Sequence, residues 1–93
     1  MNFPITPSFS LENKRALVTG AGRGIGMGAA IALSSAGADV LMISRTKKEL
    51  EVIDDYLESL GYKSTFKSID VTDEKAVSKL IHDEDCFDIL VNN

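Results

Sequence analysis

A glycine-rich turn near the start of the chain has the residue types and the spacing that hold a phosphate. Its residues are Thr19, Gly20, Ala21, Gly22, Arg23, Gly24, Ile25 and Gly26. They lie between the apolar run 16–18, a predicted strand, and the small-residue run 29–33, a predicted helix. A strand, a glycine turn and a helix in this order form the arrangement that binds the pyrophosphate of a dinucleotide. Glycine has no Cβ to keep the backbone away from phosphates, and the free N–H groups of a helix start face negative charge. A tight turn that binds nothing is the alternative.

The residues after the second predicted strand indicate which dinucleotide is bound. A carboxylate about 20 residues beyond the glycines would accept a hydrogen bond from the ribose 2′-OH of NAD. Here the sequence has Ser44, followed by Arg45 and Thr46. A hydroxyl and a guanidinium bind a 2′-phosphate, because the arginine fork donates two parallel hydrogen bonds. The sequence therefore predicts NADP (NADPH), with Arg23 approaching the phosphate from the other side, unless both arginines are ordinary solvated residues.

The hydrophobic pattern predicts four strands that alternate with three helices in an α/β fold. The strands are expected at 15–19, 39–44, 63–70 and 87–91. This order favours a parallel sheet with right-handed crossovers. Ligands of such sheets bind beyond the carboxyl ends of the strands. The polar residues that follow each strand should therefore converge on one edge: the glycine turn, Ser44-Arg45-Thr46, Asp70-Val71 and Asn92-Asn93.

Caps and apolar stripes predict how the helices begin, end and face the sheet. The first helix is expected to bury Ile25, Ala29, Leu33 and Ala36 and to end at Gly37. The capping box Thr46-Lys47-Lys48-Glu49 starts the second, which buries Leu50, Ile53, Leu57 and Leu60 and ends at Gly61. Thr72 caps the third, which buries Val77, Leu80 and Ile81. Alternating Lys63, Thr65 and Lys67 suit an edge strand, and Asn13 suits a left-handed turn.

Composition sets limits on partners and location. The 93 residues form one unit, residues 1–93, in which residues 1–13 are expected to be a loose arm. A net charge of −4 argues against nucleic acid, and no apolar run has the length of a membrane span. The first seven residues lack the features of a secretory signal, and the single cysteine, Cys86, cannot form an internal disulfide. We therefore expect a cytoplasmic protein that binds neither nucleic acid nor a membrane. We also expect no metal site, because no other potential ligand lies at metal-ligand spacing from His82.

With these motifs in order, the chain resembles the short-chain dehydrogenases/reductases. Thr19 to Gly26 fits the family's Thr-Gly-x-x-x-Gly-x-Gly loop, and Ser44-Arg45-Thr46 looks like the second-strand end of NADP-using members. Asp70-Val71 is similar to the pair that contacts adenine, and Asn92-Asn93 to the first half of Asn-Asn-Ala-Gly. The resemblance implies a Rossmann-type doubly wound parallel sheet and hydride transfer between NADPH and a ketone or alcohol, either a 3-oxoacyl thioester or a carbonyl or sugar substrate. It also implies a homo-oligomer.

The family's catalytic Tyr-x-x-x-Lys pair is not found in these residues. Tyr56 and Tyr62 are followed four positions later by Leu60 and Phe66. We therefore assign no catalytic residue and interpret the sequence as the N-terminal, cofactor-binding part of a longer enzyme, cut after the fourth strand. The 93 residues alone are expected to lack dehydrogenase activity. The alternative is a non-catalytic dinucleotide-binding module.

Overall fold

The computed structural model describes residues 10–84 and 86–93, in which four strands and three helices alternate. The strands are β1 (Arg15–Thr19), β2 (Asp39–Ser44), β3 (Ser64–Ser68) and β4 (Ile89–Val91). The helices are α1 (Gly24–Ser35), α2 (Lys47–Ser59) and α3 (Glu74–Asp83). All strand pairs are parallel, and their order is β3-β2-β1-β4. The predicted Rossmann-like α/β architecture is therefore confirmed.

The two central strands separate two hydrophobic cores on opposite faces of the sheet. One core contains Ala16, Val18, Val40 and Met42 together with residues of α1 and α2. The other contains Leu17, Leu41 and Ile43 together with Leu80 of α3. Because β1 and β2 are covered on both faces, their sequences are apolar almost throughout rather than alternating. This packing fixes the carboxyl ends of β1 and β2 side by side.

The two outer strands are shorter than the sequence pattern predicts. β3 was expected over 63–70 and spans Ser64–Ser68, and β4 was expected over 87–91 and spans Ile89–Val91. The edge position predicted for β3 is confirmed, since its described neighbour is β2. At the start of β4, the N–H of Arg15 donates to Asp88 Oδ2 at 2.9 Å. The N–H of Asp88 in turn donates to the carbonyl of Arg15 at 2.8 Å, so this end of the pair is held without continuous strand geometry.

The prediction for the buried face of α1 is partly right: Ala29 and Leu33 are half-buried against the core, but Ile25 is not. Ile25 is 80% exposed, whereas Gly26, Ala30 and Ser34 are buried. Gly26 must face the turn because the backbone of Gly20 lies directly against it. The helix end is as predicted: Gly37 has a φ of +106°, which glycine adopts readily.

The stripes of α2 and α3 are partly as predicted. Leu50, Ile53 and Leu57 are buried. Leu60 is 48% exposed because it follows the last helical residue, Ser59. Gly61, which comes next, has a φ of +79°. In α3 Leu80 is buried, but Ile81 is 59% exposed on the solvent side.

The start of α3 also differs from the prediction. The N-cap is Asp73 rather than Thr72, and its Oδ1 accepts a hydrogen bond from the N–H of Ala76 at 3.2 Å. The hydroxyl of Thr72 instead donates to Asp70 at 2.7 Å. Because that hydroxyl is already bound, the neighbouring carboxylate takes the capping position.

Residues 10–13 are the described part of the segment before β1, and Leu11 among them contacts the fold. Residues 1–9 of the expected arm lie outside the described residues. Leu11, however, packs against the core, and its N–H donates to the carbonyl of Ala36 at 2.7 Å. Asn13 has a φ of +66°, which confirms the predicted left-handed turn. Within the described ranges, no helix is long and apolar enough to cross a bilayer.

Candidate functional site

The glycine turn joins β1 to α1, and its glycines are needed for different reasons. Gly20 and Gly24 have φ values of +61° and +62°, a left-handed backbone that other residues adopt only with strain. A Cβ on Gly26 would overlap the carbonyl of Gly20. A Cβ on Gly22 would overlap the carboxylate of Glu49 and lie 3.3 Å from Ser44 Oγ. Neighbouring groups therefore lie close to Gly22 and Gly26, whereas a Cβ on Gly24 would meet nothing within 4 Å.

The start of α1 is open to an anion. Its N-cap, Arg23, is extended (φ −162°, ψ 167°) and makes no side-chain capping bond, and the first turn has no acidic residue. The first N–H groups of a helix have no partner within the helix. They and the helix dipole favour negative charge at this point.

The ends of β1 and β4 are joined through the buried hydroxyl of Thr19. This oxygen accepts a hydrogen bond from the N–H of Asn93 at 3.0 Å. It lies 3.3 Å from both the carbonyl of Val91 and Asn92 Oδ1, either of which can accept its proton. The side-chain amide of Asn93 donates to the carbonyl of Gly20 at 3.4 Å. These bonds fix the floor of the glycine turn.

A pocket lies between the glycine turn and the end of β2. Its lining residues are Gly20, Gly22, Arg23, Ser44, Arg45, Thr46 and Glu49. Ser44 Oγ accepts a hydrogen bond from the N–H of Thr46 at 3.2 Å, which orders the turn into α2. The carbonyl of Arg45 accepts a hydrogen bond from the hydroxyl of Ser68 at 3.0 Å, which ties this turn to β3.

An ion pair lies in this pocket. Arg23 Nη2 is 3.0 Å from Glu49 Oε1, with side-chain exposures of 83% and 32%. The predicted capping box is not formed: Thr46 occupies the N-cap position but makes no side-chain capping bond, and Glu49 pairs with Arg23 instead. Glu49 was not predicted as a site residue, because 26 residues separate it from Arg23 and only the folded chain brings the two together.

A second pocket continues the first along the carboxyl ends of the strands. Its lining residues are Gly20, Ser44, Arg45, Ile69, Asp70, Val71, Thr72 and Asn93. The two pockets share Gly20, Ser44 and Arg45, so together they form one groove, which we call the strand-end groove.

Asp70 is held as a carboxylate beside this groove. Its Oδ1 accepts hydrogen bonds from the N–H and the hydroxyl of Thr72, at 2.9 and 2.7 Å. These bonds, assisted by the charge of Arg45, lower the pKa of Asp70 below its ordinary value. Asp70 Oδ2 accepts neither of these bonds. Thr72 is a second groove residue that the sequence did not single out, because its pattern indicated only a helix cap.

The structure thus brings the predicted site residues to one edge of the sheet, as expected of strand ends in a parallel fold. The predicted residues that line the strand-end groove are Gly20, Gly22, Arg23, Ser44, Arg45, Thr46, Asp70 and Val71. Thr19 and Asn92 lie beneath it, and Gly24, Ile25 and Gly26 begin α1. The side chain of Ile25 is exposed, so its contribution to the groove is confined to its backbone.

The hydrogen-bond donors of the groove are of the kind that bind a dinucleotide phosphate. A bare glycine turn, the start of α1 and the cluster of Ser44, Arg45 and Thr46 supply hydrogen-bond donors and positive charge. Among the described residues that line the groove there is no tyrosine, lysine, histidine or cysteine. In the described parts of the chain, no cluster of three metal-ligating side chains occurs. The donors of the groove can bind and orient an anionic ligand.

Comparison with known proteins gives a consistent family assignment. The family model described as short chain dehydrogenase matches residues 14–93. Gluconate 5-dehydrogenase of Gluconobacter oxydans (strain 621H) is 40% identical over 89 residues, which are 91% of this chain and 35% of that protein. The chain therefore spans about a third of the length of such a curated relative.

Solved structures show the same likeness. Hydroxysteroid dehydrogenase from Escherichia coli has a TM-score of 0.85 at 34% identity, covering 92% of this chain and 38% of that one. A 3-oxoacyl (acyl-carrier-protein) reductase from Agrobacterium tumefaciens C58, with NADP bound, has a TM-score of 0.82 at 30% identity. That match covers 92% of this chain and 34% of the reductase.

Proposed function

Because this chain belongs to the short-chain dehydrogenase family, we propose that it forms the NADP-binding part of an oxidoreductase. The observation that carries the proposal is the strand-end groove, in which a bare glycine turn, Ser44 and Arg45 meet. Bound NADPH supplies the hydride for reduction of a carbonyl, or NADP accepts it from an alcohol. The chain's own residues bind and orient that group.

Each part of the groove has a separate binding role in this proposal. The N–H groups of the glycine turn and the start of α1 bind the pyrophosphate. Ser44, Arg45 and Thr46 bind the 2′-phosphate, for which a hydroxyl and a guanidinium are suited. Asp70 and Val71 flank the adenine, with the carboxylate held in place by Thr72. The NADP-bound relative described above supports this choice of cofactor.

The substrate is proposed only by class, as a small-molecule carbonyl compound or alcohol. The three relatives described above are named for gluconate, a hydroxysteroid and a 3-oxoacyl (acyl-carrier-protein) substrate, so the named substrate differs among relatives of this chain. A homo-oligomer and a cytoplasmic location are further parts of the proposal. Cys86 is exposed and not in a disulfide, which suits a reducing compartment. Sedimentation of the protein encoded by the complete gene tests the oligomer.

A non-catalytic dinucleotide-binding module is the second candidate. The observation in its favour is that neither Tyr56 nor Tyr62 begins a Tyr-x-x-x-Lys pair, and neither lines the strand-end groove. Two observations decide between the candidates. In the gene, Ala-Gly after Asn93 and a later Tyr-x-x-x-Lys would support the enzyme. The complete-gene protein should then oxidise NADPH with at least one substrate from a panel of ketones and 3-oxoacyl thioesters. If it binds the cofactor but turns over none of these substrates, the binding module is favoured.

A further inference from the structure

The carboxylate of Glu49 lies where the 2′-phosphate is proposed to bind. It lines the same pocket as Ser44 and Arg45, beside the bare backbone of Gly22. Its Oε1 is paired with Arg23 at 3.0 Å. The pocket therefore already contains one anion, and that anion neutralises one of its two arginines.

We propose that Glu49 is a specificity-determining residue that holds Arg23 in the cofactor-free protein and competes with the 2′-phosphate for it. This inference rests on the proposed function. A phosphate and a carboxylate can each accept two parallel hydrogen bonds from the planar guanidinium fork, so Arg23 can bind either. The pair with Glu49 occupies Arg23 Nη2, so a 2′-phosphate that takes both parallel hydrogen bonds of the guanidinium fork competes with Glu49 for this nitrogen. NAD carries a hydroxyl at that position and leaves the pair intact, so Glu49 weakens NADP binding selectively.

The local geometry argues against a purely helix-capping role for Glu49. In a capping box the third residue of the helix bonds back to the N-cap N–H. Here the N–H of Thr46 donates to Ser44 Oγ at 3.2 Å, and Glu49 reaches across to Arg23. Helix α2 therefore directs this carboxylate into the pocket, while the helix start is ordered by Ser44.

The chain offers a matched control on the same helix. Glu51 is two residues further on and pairs with Lys47 at 3.6 Å on the exposed side of α2. Glu49→Gln and Glu51→Gln each remove one negative charge and keep side-chain size. They differ in that Glu49 alone lines the strand-end groove.

The test is a calorimetric titration of NADPH and NADH into the complete-gene protein and its variants at fixed salt. Exposed ion pairs are weak, so Glu49→Gln should tighten NADPH binding about two- to fivefold and change NADH binding less than about twofold. Glu51→Gln should leave both dissociation constants within about twofold. In an Arg23→Ala background, Glu49→Gln should no longer tighten NADPH binding, because the competition needs the arginine.

Several results would overturn the inference. These are unchanged NADPH binding in Glu49→Gln, an equal gain for NADH, or a gain that persists in the Arg23→Ala background, which would indicate direct repulsion of the phosphate. Thermal melts of the unliganded variants show whether each is folded before it is titrated. A wild-type protein that binds neither dinucleotide contradicts the proposed function itself. One that binds NADPH without responding to Glu49→Gln contradicts only the role of Glu49.

Discussion

The hydroxyl of Thr19, at the end of β1, accepts a hydrogen bond from the N–H of Asn93, after the end of β4, at 3.0 Å. Thr19 is 8% exposed, so little water can replace this bond. We expect Thr19→Val to lower the free energy of unfolding by about 1 kcal/mol, because an N–H near the buried floor of the glycine turn loses its acceptor. Urea unfolding measures the change. Thr19→Ser keeps the hydroxyl but removes a buried methyl group, so its own loss of about 1 kcal/mol reports packing. A Thr19→Val protein as stable as the wild type would show that the hydrogen bond contributes nothing.

The close contact between Gly26 and Gly20 predicts a strong effect of one methyl group. Gly26→Ala places a Cβ against the carbonyl of Gly20, so the turn or the helix must move. We expect a loss of about 1–3 kcal/mol of stability and weaker NADPH binding. Gly28→Ala is the matched control, because nothing lies within 4 Å of its added Cβ in the same helix. It should stabilise α1 by about 0.5–1 kcal/mol. Similar destabilisation in both variants would contradict the close-packing argument.

Hydrogen bonds from Thr72 lower the pKa of Asp70, which predicts a pH dependence of a definite sign. Because the pKa of Asp70 is lower in the folded than in the unfolded protein, the ionised carboxylate stabilises the folded state. This contribution to the free energy of unfolding is present above about pH 4 and is lost as the pH falls through the lower native pKa. Asp70→Asn should therefore destabilise the protein at pH 6, and its difference from wild type should shrink towards pH 3. Urea unfolding at both pH values measures this. Asp55→Asn, on the exposed face of α2, controls for the change in net charge. If Asp70→Asn differs from the wild type in unfolding free energy by the same amount at both pH values, the proposed link between the pKa of Asp70 and stability is wrong.

The order of elements was predictable because it depends on strong local signals. β2 is a continuous apolar run between a glycine helix end and a polar turn, so both its boundaries and its central position follow from the sequence. The convergence of Ser44, Asp70 and Asn92 on one edge follows from parallel order alone. These residues were identified without knowing any distance between them.

The errors arise where the sequence offers two equivalent choices. Helix α1 consists of small and apolar residues without a charge, so its periodicity could not show whether Ile25 or Gly26 faces the sheet. At α3, Thr72 and Asp73 are both good caps, and the bond from Thr72 to Asp70 decided between them. Glu49 fits a capping box in sequence, and only tertiary contact with Arg23 shows its other partner.

The central claim is that the strand-end groove binds NADP through Ser44 and Arg45, and dinucleotide affinity tests it most directly. Titration of NADPH and NADH into the complete-gene protein should show a preference for NADPH. A hydrogen bond to a charged group contributes about 1.5–3 kcal/mol, so Arg45 alone could give about a ten- to hundredfold preference. Arg45→Ala should weaken NADPH binding by that factor and leave NADH nearly unchanged, and Ser44→Asp should go further by adding repulsion. Equal affinity of the wild type for both dinucleotides, or equal losses in Arg45→Ala, would contradict the claim.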